Sequence, residues 1–587
     1  MNGEWSLDVL YKGYDDPKFA EDRAAFDAAC ARMNELAAAL DGMEPAKALH
    51  EIILAMEELN RLAASLMIFA ELKQSVNTRD NESASITGQL MAKLSAIAAA
   101  QTKMKAYISA QKDFDQLIAA DPLLTDYKYL LNTIREDSKY LLSEREEEIM
   151  ARMSISGADA WSELQNVLTS SVPVAYNGET TNLSAIRNLA YDPDQAVRKA
   201  AYEAELGCYE RIADSVAYSL NSIKLQVINE CELRGFASPL EKTVHDAAMK
   251  METLDALMSA IDEELPAFHK YLRVKAKALG HEGGLPWYDL FAPMGKSGKK
   301  YTVDEARDYL LNLFAGFDKS LHDMVERAFK EEWIDFYPRS GKSGGAFCAA
   351  LPVQKQSRIL TNFDGSFSDI VTLAHELGHA FHGQNIFTHR IMNMDYSMPV
   401  AETASTFNEN VVMNAAISAA QTKEEKIALI EGQLSDACQI ICDIYSRYLF
   451  ESAVFAERKE KFMSADDLCA MMLDAQKKAY GDGLDHDVLH PYMWVCKSHY
   501  YSGGTSFYNF PYAFGGLFAR GLYAQYRQEG APFVEKYKKL LNATTVMSVE
   551  DTAKIAGIDL TDKAFWKQGL RSFAEEIDEF CALVEAK

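Results

Sequence analysis

The sequence predicts a mainly α protein with more than one lobe, and three observations carry that expectation. Apolar residues recur at helical spacing over long stretches. Only 15 prolines interrupt 587 residues, while Ala, Leu, Glu, Lys and Met recur throughout, a mixture that favours helix. A chain of this length is also more than one simple core organises.

From about residue 17 to 170 the chain reads as long amphipathic helices. Leu36, Leu40 and Met43 begin one apolar stripe, and Ile52, Leu54, Met56, Leu59, Leu62 and Leu66 extend another. Leu94, Ile97, Ala98 and Met104 continue the pattern. Val172-Pro173-Val174-Ala175-Tyr176 then reads as a short extended piece, with a turn at Asn177-Gly178. Helices resume from about Asp192, with Pro193 at a first helical position. A boundary near residue 200 divides an N-terminal helical domain, residues 1–200, from a catalytic domain, residues 201–587. Gly and Lys clusters make 283–301 irregular, and 335–364 is irregular again. Within the latter, Ser357–Phe363 is expected as a strand, which puts a small sheet beside the helix that follows.

The formal net charge of −26 repels nucleic acid and anionic membrane. No run of about 18 apolar residues is present, so no membrane span is expected. The N-terminus has no basic stretch followed by an apolar one, so it is not read as a secretory signal. Nine scattered cysteines read as buried or partly buried thiols of a reducing compartment. The cytoplasm is the expected location.

The segment Thr372-Leu373-Ala374-His375-Glu376-Leu377-Gly378-His379-Ala380-Phe381-His382 contains H-E-x-x-H. Ser366 to Asp369 offers capping residues just before it. On a helix, residues four apart share a face, so His375 and His379 can bind one zinc ion. Glu376 points away from that axis and can serve as general base toward a water without ligating the metal. A third histidine in the metzincin pattern is excluded, because His382 stands where Gly is required and Asn385 where the histidine should be. The remaining choice is a glutamate further on. Pro399 opens a second periodic segment carrying Glu402 and Glu409 seven apart, two turns on one face. Glu402 is assigned to the metal. Glu409 is assigned to a histidine's far ring nitrogen, which it would orient. Ala401, Ala404 and Ser405 are small enough for close approach to the motif helix.

These two segments, His375 to His382 and Ala401 to Glu409, resemble the oligoendopeptidase F family, relatives of thimet oligopeptidase. Trp5 to Pro17, Gly341-Lys342 with Gly345 to Cys348, and Phe507 to Gly515 extend the resemblance along the chain. It implies a two-lobed helical fold with a deep substrate channel, one zinc ion per chain, and internal cleavage of short unstructured oligopeptides. It also implies that His499, Tyr508 and Tyr512 face the metal and hydrogen-bond the substrate, which suits oxyanion stabilisation. Tyr500 and Phe510 read as packing residues. The Gly-rich stretch with Gly344, Gly345, Ala346 and Phe347 offers an extended edge that can pair with a peptide backbone. Two other readings are a metallocarboxypeptidase or peptidyl-dipeptidase, and a peptide-binding protein that holds metal without turnover. The first needs a cation for the substrate's terminal carboxylate, and the sequence alone does not place one. The oligomeric state is not legible.

Overall fold

The structure, a computed structural model, describes residues 3–295 and 299–586. The fold is mainly helical, with five short strands among the described residues. Lys296, Ser297 and Gly298, part of the irregular stretch expected at 283–301, lie outside them.

The first lobe begins with two long helices, Pro17–Ala39 and Pro45–Val76. Each opens on a proline in its first turn, where the missing N–H costs nothing. Each is capped by the preceding acid: Asp16 accepts from the amide of Lys18, and Glu44 from those of Ala46 and Lys47. Ile52, Leu59, Leu62 and Leu66 enter the core of this lobe as expected. Leu54 does not: at 37% exposure it faces solvent, because two residues from Ile52 is about 200° around a helix.

Buried residues form two separate cores. The smaller runs from Trp5 to Ile134 and is closed by Leu351 and Leu360. The larger begins at Ala158 and continues to Cys581. The cores therefore part between Ile134 and Ala158. Residues 158–200, expected in the N-terminal domain, contribute Val172, Val174, Leu183 and Ile186 to the larger core. Strands β1 (Val174–Tyr176) and β2 (Glu179–Thr181) form a hairpin there, the extended piece and turn expected from the sequence. Helix resumes at Leu183, earlier than expected. Pro193 is not at a first helical position either: Asp194 caps the helix Gln195–Tyr209, so Pro193 lies just outside it.

A three-stranded sheet sits between the cores in the order β3 (Ile334–Asp335), β5 (Gln356–Leu360), β4 (Phe347–Leu351). β3 runs parallel to β5, and β4 antiparallel to it. Successive strand residues point to opposite faces. Ile359 accordingly packs in the larger core and Leu360 in the smaller. No described helix is long and apolar enough to cross a membrane.

The larger core also buries ion pairs. Lys224, fully buried, donates to Glu451 at 2.6 Å. The other oxygen of Glu451 accepts the amide of Phe507 at 3.0 Å. That contact holds Phe507 at φ +51°, a conformation that side-chain-bearing residues rarely adopt. Breaking a buried pair leaves an uncompensated charge, at a cost of about 3–5 kcal/mol. Lys224→Met is expected to lower the unfolding free energy by about that amount, measured by urea denaturation. An unchanged midpoint would mean that the Glu451 carboxylate is compensated some other way.

Candidate active site

The helix Phe367–Ile386 carries the H-E-x-x-H motif. Ser366 caps it by accepting the Asp369 amide, and the Asp369 carboxylate returns to the Ser366 amide. The same carboxylate accepts from Gly365, so the chain entering the helix is fixed over its first turn. His375 and His379 face one another from adjacent turns, with Nε2 atoms 3.2 Å apart.

The glutamate comes from a crossing segment. The sequence suggests one helix from Pro399; the structure divides it into Met398–Ala401 and Thr403–Ala419, with Glu402 at the junction. Two glycines bring this junction close. A Cβ on Gly378 would meet the Ala404 carbonyl oxygen and the Ser405 Cα, each at 2.5 Å. A Cβ on Gly515, from the helix Phe510–Glu529, would stand 3.0 Å from the Cβ of Glu402. Asn408 ties the crossing by donating to the Ala374 carbonyl at 3.1 Å.

Glu402 Oε2 lies 3.3 Å from His375 Nε2 and 3.4 Å from His379 Nε2, and the Ser405 hydroxyl donates to it at 2.8 Å. A tetrahedral ion with bonds of about 2.0–2.1 Å holds its ligand atoms about 3.3 Å apart. The three atoms therefore form one face of a tetrahedron of the right size for zinc. Burial works against ionising Glu402, but the hydrogen bond and charge of the histidines outweigh it and hold its pKa at about 2.

Glu409 reaches the far side of His375, with its Oε1 2.5 Å from Nδ1. Nδ1 then carries the proton and Nε2 keeps a free lone pair. Glu376 points elsewhere. It is 5% exposed, and its Oε2 has no hydrogen-bond partner among the described residues. Burial raises its pKa, with His375 and His379 pulling in the opposite sense. Burial, followed by the Glu376 charge, raises the thiol of Cys348 on β4.

His375, Glu402 and Glu409 open on a cavity of about 770 Å³, walled also by Val371, Thr406, Ile440 and Arg520. Tyr512 lines the same cavity. Its hydroxyl donates to that of Tyr508 at 3.1 Å, and the Tyr508 ring stacks on His499, centroids 4.7 Å apart. The three residues are thus one file of contacts, with Tyr512 at its cavity end. Tyr500 and Phe510 are fully buried packing residues. Gly344, Gly345 and Ala346 form the loop before β4, which Phe347 opens at the free edge of the sheet. Asn362 holds this loop by donating to the carbonyls of Ser343 and Gly345.

One side chain of the motif has a role that spacing did not reveal. His382 is fully buried, stacks on Tyr396 at 4.2 Å and faces the Thr544 hydroxyl at 2.8 Å. Burial drives its pKa down to about 3, so it is a neutral packing group behind the site. No feature of the sequence pairs it with Tyr396 or Thr544.

A helical fold carrying this donor set beside a buried free carboxylate defines a metallopeptidase. The family model of peptidase family M3 matches residues 188–572, and that of oligopeptidase F matches residues 110–172. The chain belongs to peptidase family M3 and is a metalloendopeptidase. It is 26% identical to the oligopeptidase PepF of Bacillus subtilis, covering 80% of this chain and 71% of that one. An oligoendopeptidase F homolog of Lactococcus lactis is 24% identical, over 92% of this chain and 91% of its own. Among solved structures, oligoendopeptidase-F of Enterococcus faecium superposes with a TM-score of 0.72 at 19% identity, covering 97% and 99% of the two chains. The fold expectation, helical with a small sheet beside the motif helix, holds.

The close crossing at Gly378 gives a direct test. Gly378→Ala forces the two helices apart, and overpacking of this kind costs about 1–3 kcal/mol. The expected outcome is a lower melting temperature together with weaker retention of the bound metal during dialysis. Full retention would show that Glu402 reaches the histidines without that close approach.

Proposed function

We propose that the chain is a zinc-dependent endopeptidase that hydrolyses internal bonds of short, unstructured oligopeptides. The observation that carries this reading is the triangle of His375 Nε2, His379 Nε2 and Glu402 Oε2 with sides of 3.2 to 3.4 Å, beside the unpartnered carboxylate of Glu376. His375, His379 and Glu402 would hold one zinc ion, which supplies Lewis acidity and makes a water easier to deprotonate. Glu376 takes the proton of the attacking water and delivers it to the leaving nitrogen. Glu409 keeps His375 in the tautomer that presents Nε2.

Tyr512 donates to the oxygen on which negative charge grows. A hydroxyl both donates and accepts, so Tyr508 can turn its own proton toward Tyr512 as Tyr512 turns toward the substrate. His499 packs against Tyr508 and fixes its ring. The free edge of β4, entered through Gly344 to Phe347, pairs with substrate backbone, which selects an extended chain without regard to side chains. The nine unpaired cysteines support a reducing compartment, and we place the enzyme in the cytoplasm.

Two variants separate the roles. Glu376→Gln is expected to keep one zinc per chain by elemental analysis and to lose turnover by about 10²–10⁴-fold. Near-normal turnover would remove Glu376 from the reaction. Tyr512→Phe is expected to lower kcat by about 10²–10³-fold with KM and melting temperature nearly unchanged, since only a hydroxyl used in the transition state is lost. If kcat holds, Tyr512 is a packing residue.

A further inference from the structure

A second cavity, of about 350 Å³, adjoins the metal cavity. Gln439 lines both. It opens the π-helical segment Gln439–Asp443, which joins the helices Lys423–Cys438 and Ile444–Arg458. π-Helical turns are rare and gather at functional sites. Lys497, in its wall, stands two residues before His499 in the chain.

Its charges do not balance. Arg198 is held by Asp289 through two hydrogen bonds of 2.9 and 2.7 Å. Asp443 is bonded to Arg447. Glu205 lies 3.4 Å from the Nε of Arg187, accepts the Tyr209 hydroxyl at 2.8 Å and stands 3.4 Å from His490 Nε2. Each carboxylate therefore has its cation. Lys497 is left over: its ammonium makes no hydrogen bond and no ion pair among the described residues, burial disfavours its charge, and Asp443, which favours it, is bonded to Arg447. The Arg187 guanidinium makes no hydrogen bond among the described residues; it meets Glu205 as an ion pair through Nε at 3.4 Å, so its terminal nitrogens have no hydrogen-bond partner. A chain of net charge −26 thus encloses a pocket with one cation in excess. An unpaired charge at a half-buried position is costly, and an incoming anion would relieve that cost.

We infer that this cavity is a carboxylate subsite, in which Lys497, assisted by the open side of Arg187, holds a carboxylate of the bound peptide while the scissile bond lies at His375, His379 and Glu402. The inference rests on the peptidase reading above and adds the substrate class: short peptides carrying a carboxylate at a set distance from the cut. The terminal carboxylate and an acidic side chain share this chemistry. Tyr191 and Phe291 give the cavity an apolar wall for the residue that bears it.

The test uses one short neutral peptide in three forms: free C-terminal carboxylate, C-terminal amide, and amide with an internal Glu on the C-terminal side of the cut. A charge-assisted contact is worth about 1.5–3 kcal/mol, so amidation is expected to raise KM at least about tenfold in the zinc-loaded wild type, with kcat little changed. In Lys497→Met the free acid and the amide should be cut alike, at the wild-type rate for the amide. Lys497→Arg should restore the preference. Recovery of KM by the internal Glu assigns the subsite to side chains; no recovery assigns it to the terminus. Equal KM for all three forms in the wild type, or an equal loss on all three in Lys497→Met, overturns the inference. Cleavage of the amide reports on the peptidase reading independently. Should no form be cut, calorimetric titration of the acid and the amide into wild type and Lys497→Met still decides: a preference lost in the variant upholds the subsite, and no preference overturns it.

Discussion

Everything at the metal centre depends on how closely two helix backbones approach each other. Gly378 lies between His375 and His379 in the chain and faces the crossing helix, where an added Cβ would overlap the backbone of Ala404 and Ser405. Across this crossing Glu402 Oε2 comes to 3.3 and 3.4 Å from the two histidine nitrogens. The small residues of both segments remove the side-chain layer that normally keeps helices apart. Gly515 repeats the device from a third helix and packs onto Glu402 from behind. The segment around Glu402 is therefore packed against two helices, with Gly378 against Ala404 and Ser405 and Gly515 against the Glu402 Cβ.

The buried charges around the site follow a different logic. Glu451 is paired with Lys224 and at the same time fixes the amide of Phe507. The residue after Phe507 is Tyr508, so a structural ion pair determines where the aromatic file begins. Glu409 acts likewise on His375. In both cases a carboxylate sets the orientation of a neighbouring group, and hydrogen bonds in this poorly solvated interior are the means.

Much of this was legible from the sequence because it is local. Helical periodicity, the Ser366 cap and the four-residue spacing of His375 and His379 depend on residues close in the chain, and so does the hairpin at Asn177-Gly178. Glu402 was legible through its small neighbours, which imply a close crossing. Other features depend on contacts between distant segments and leave no local trace. The stacking of His382 on Tyr396, the pairing of Glu451 with Lys224 and the isolation of Lys497 are of that kind. The lobe boundary was displaced for a related reason. A change in texture near residue 170 marks a hairpin, but it does not say which core the hairpin joins. Pro193 was misplaced because a proline just before an N-cap and one just after it leave nearly the same local pattern.

The small sheet has a mechanical consequence. Ile359 and Leu360 are neighbours on one strand, yet each belongs to a different lobe's core. A sheet is stiff along its hydrogen-bonded ladder, so relative movement of the lobes cannot be absorbed within β5 and has to be passed to its partner strands. β4 is such a partner, and it carries Cys348, whose thiol responds to the charge of Glu376. Tilting one lobe would therefore be carried by β4 to the motif helix it packs against, as a lever carries force to its short arm.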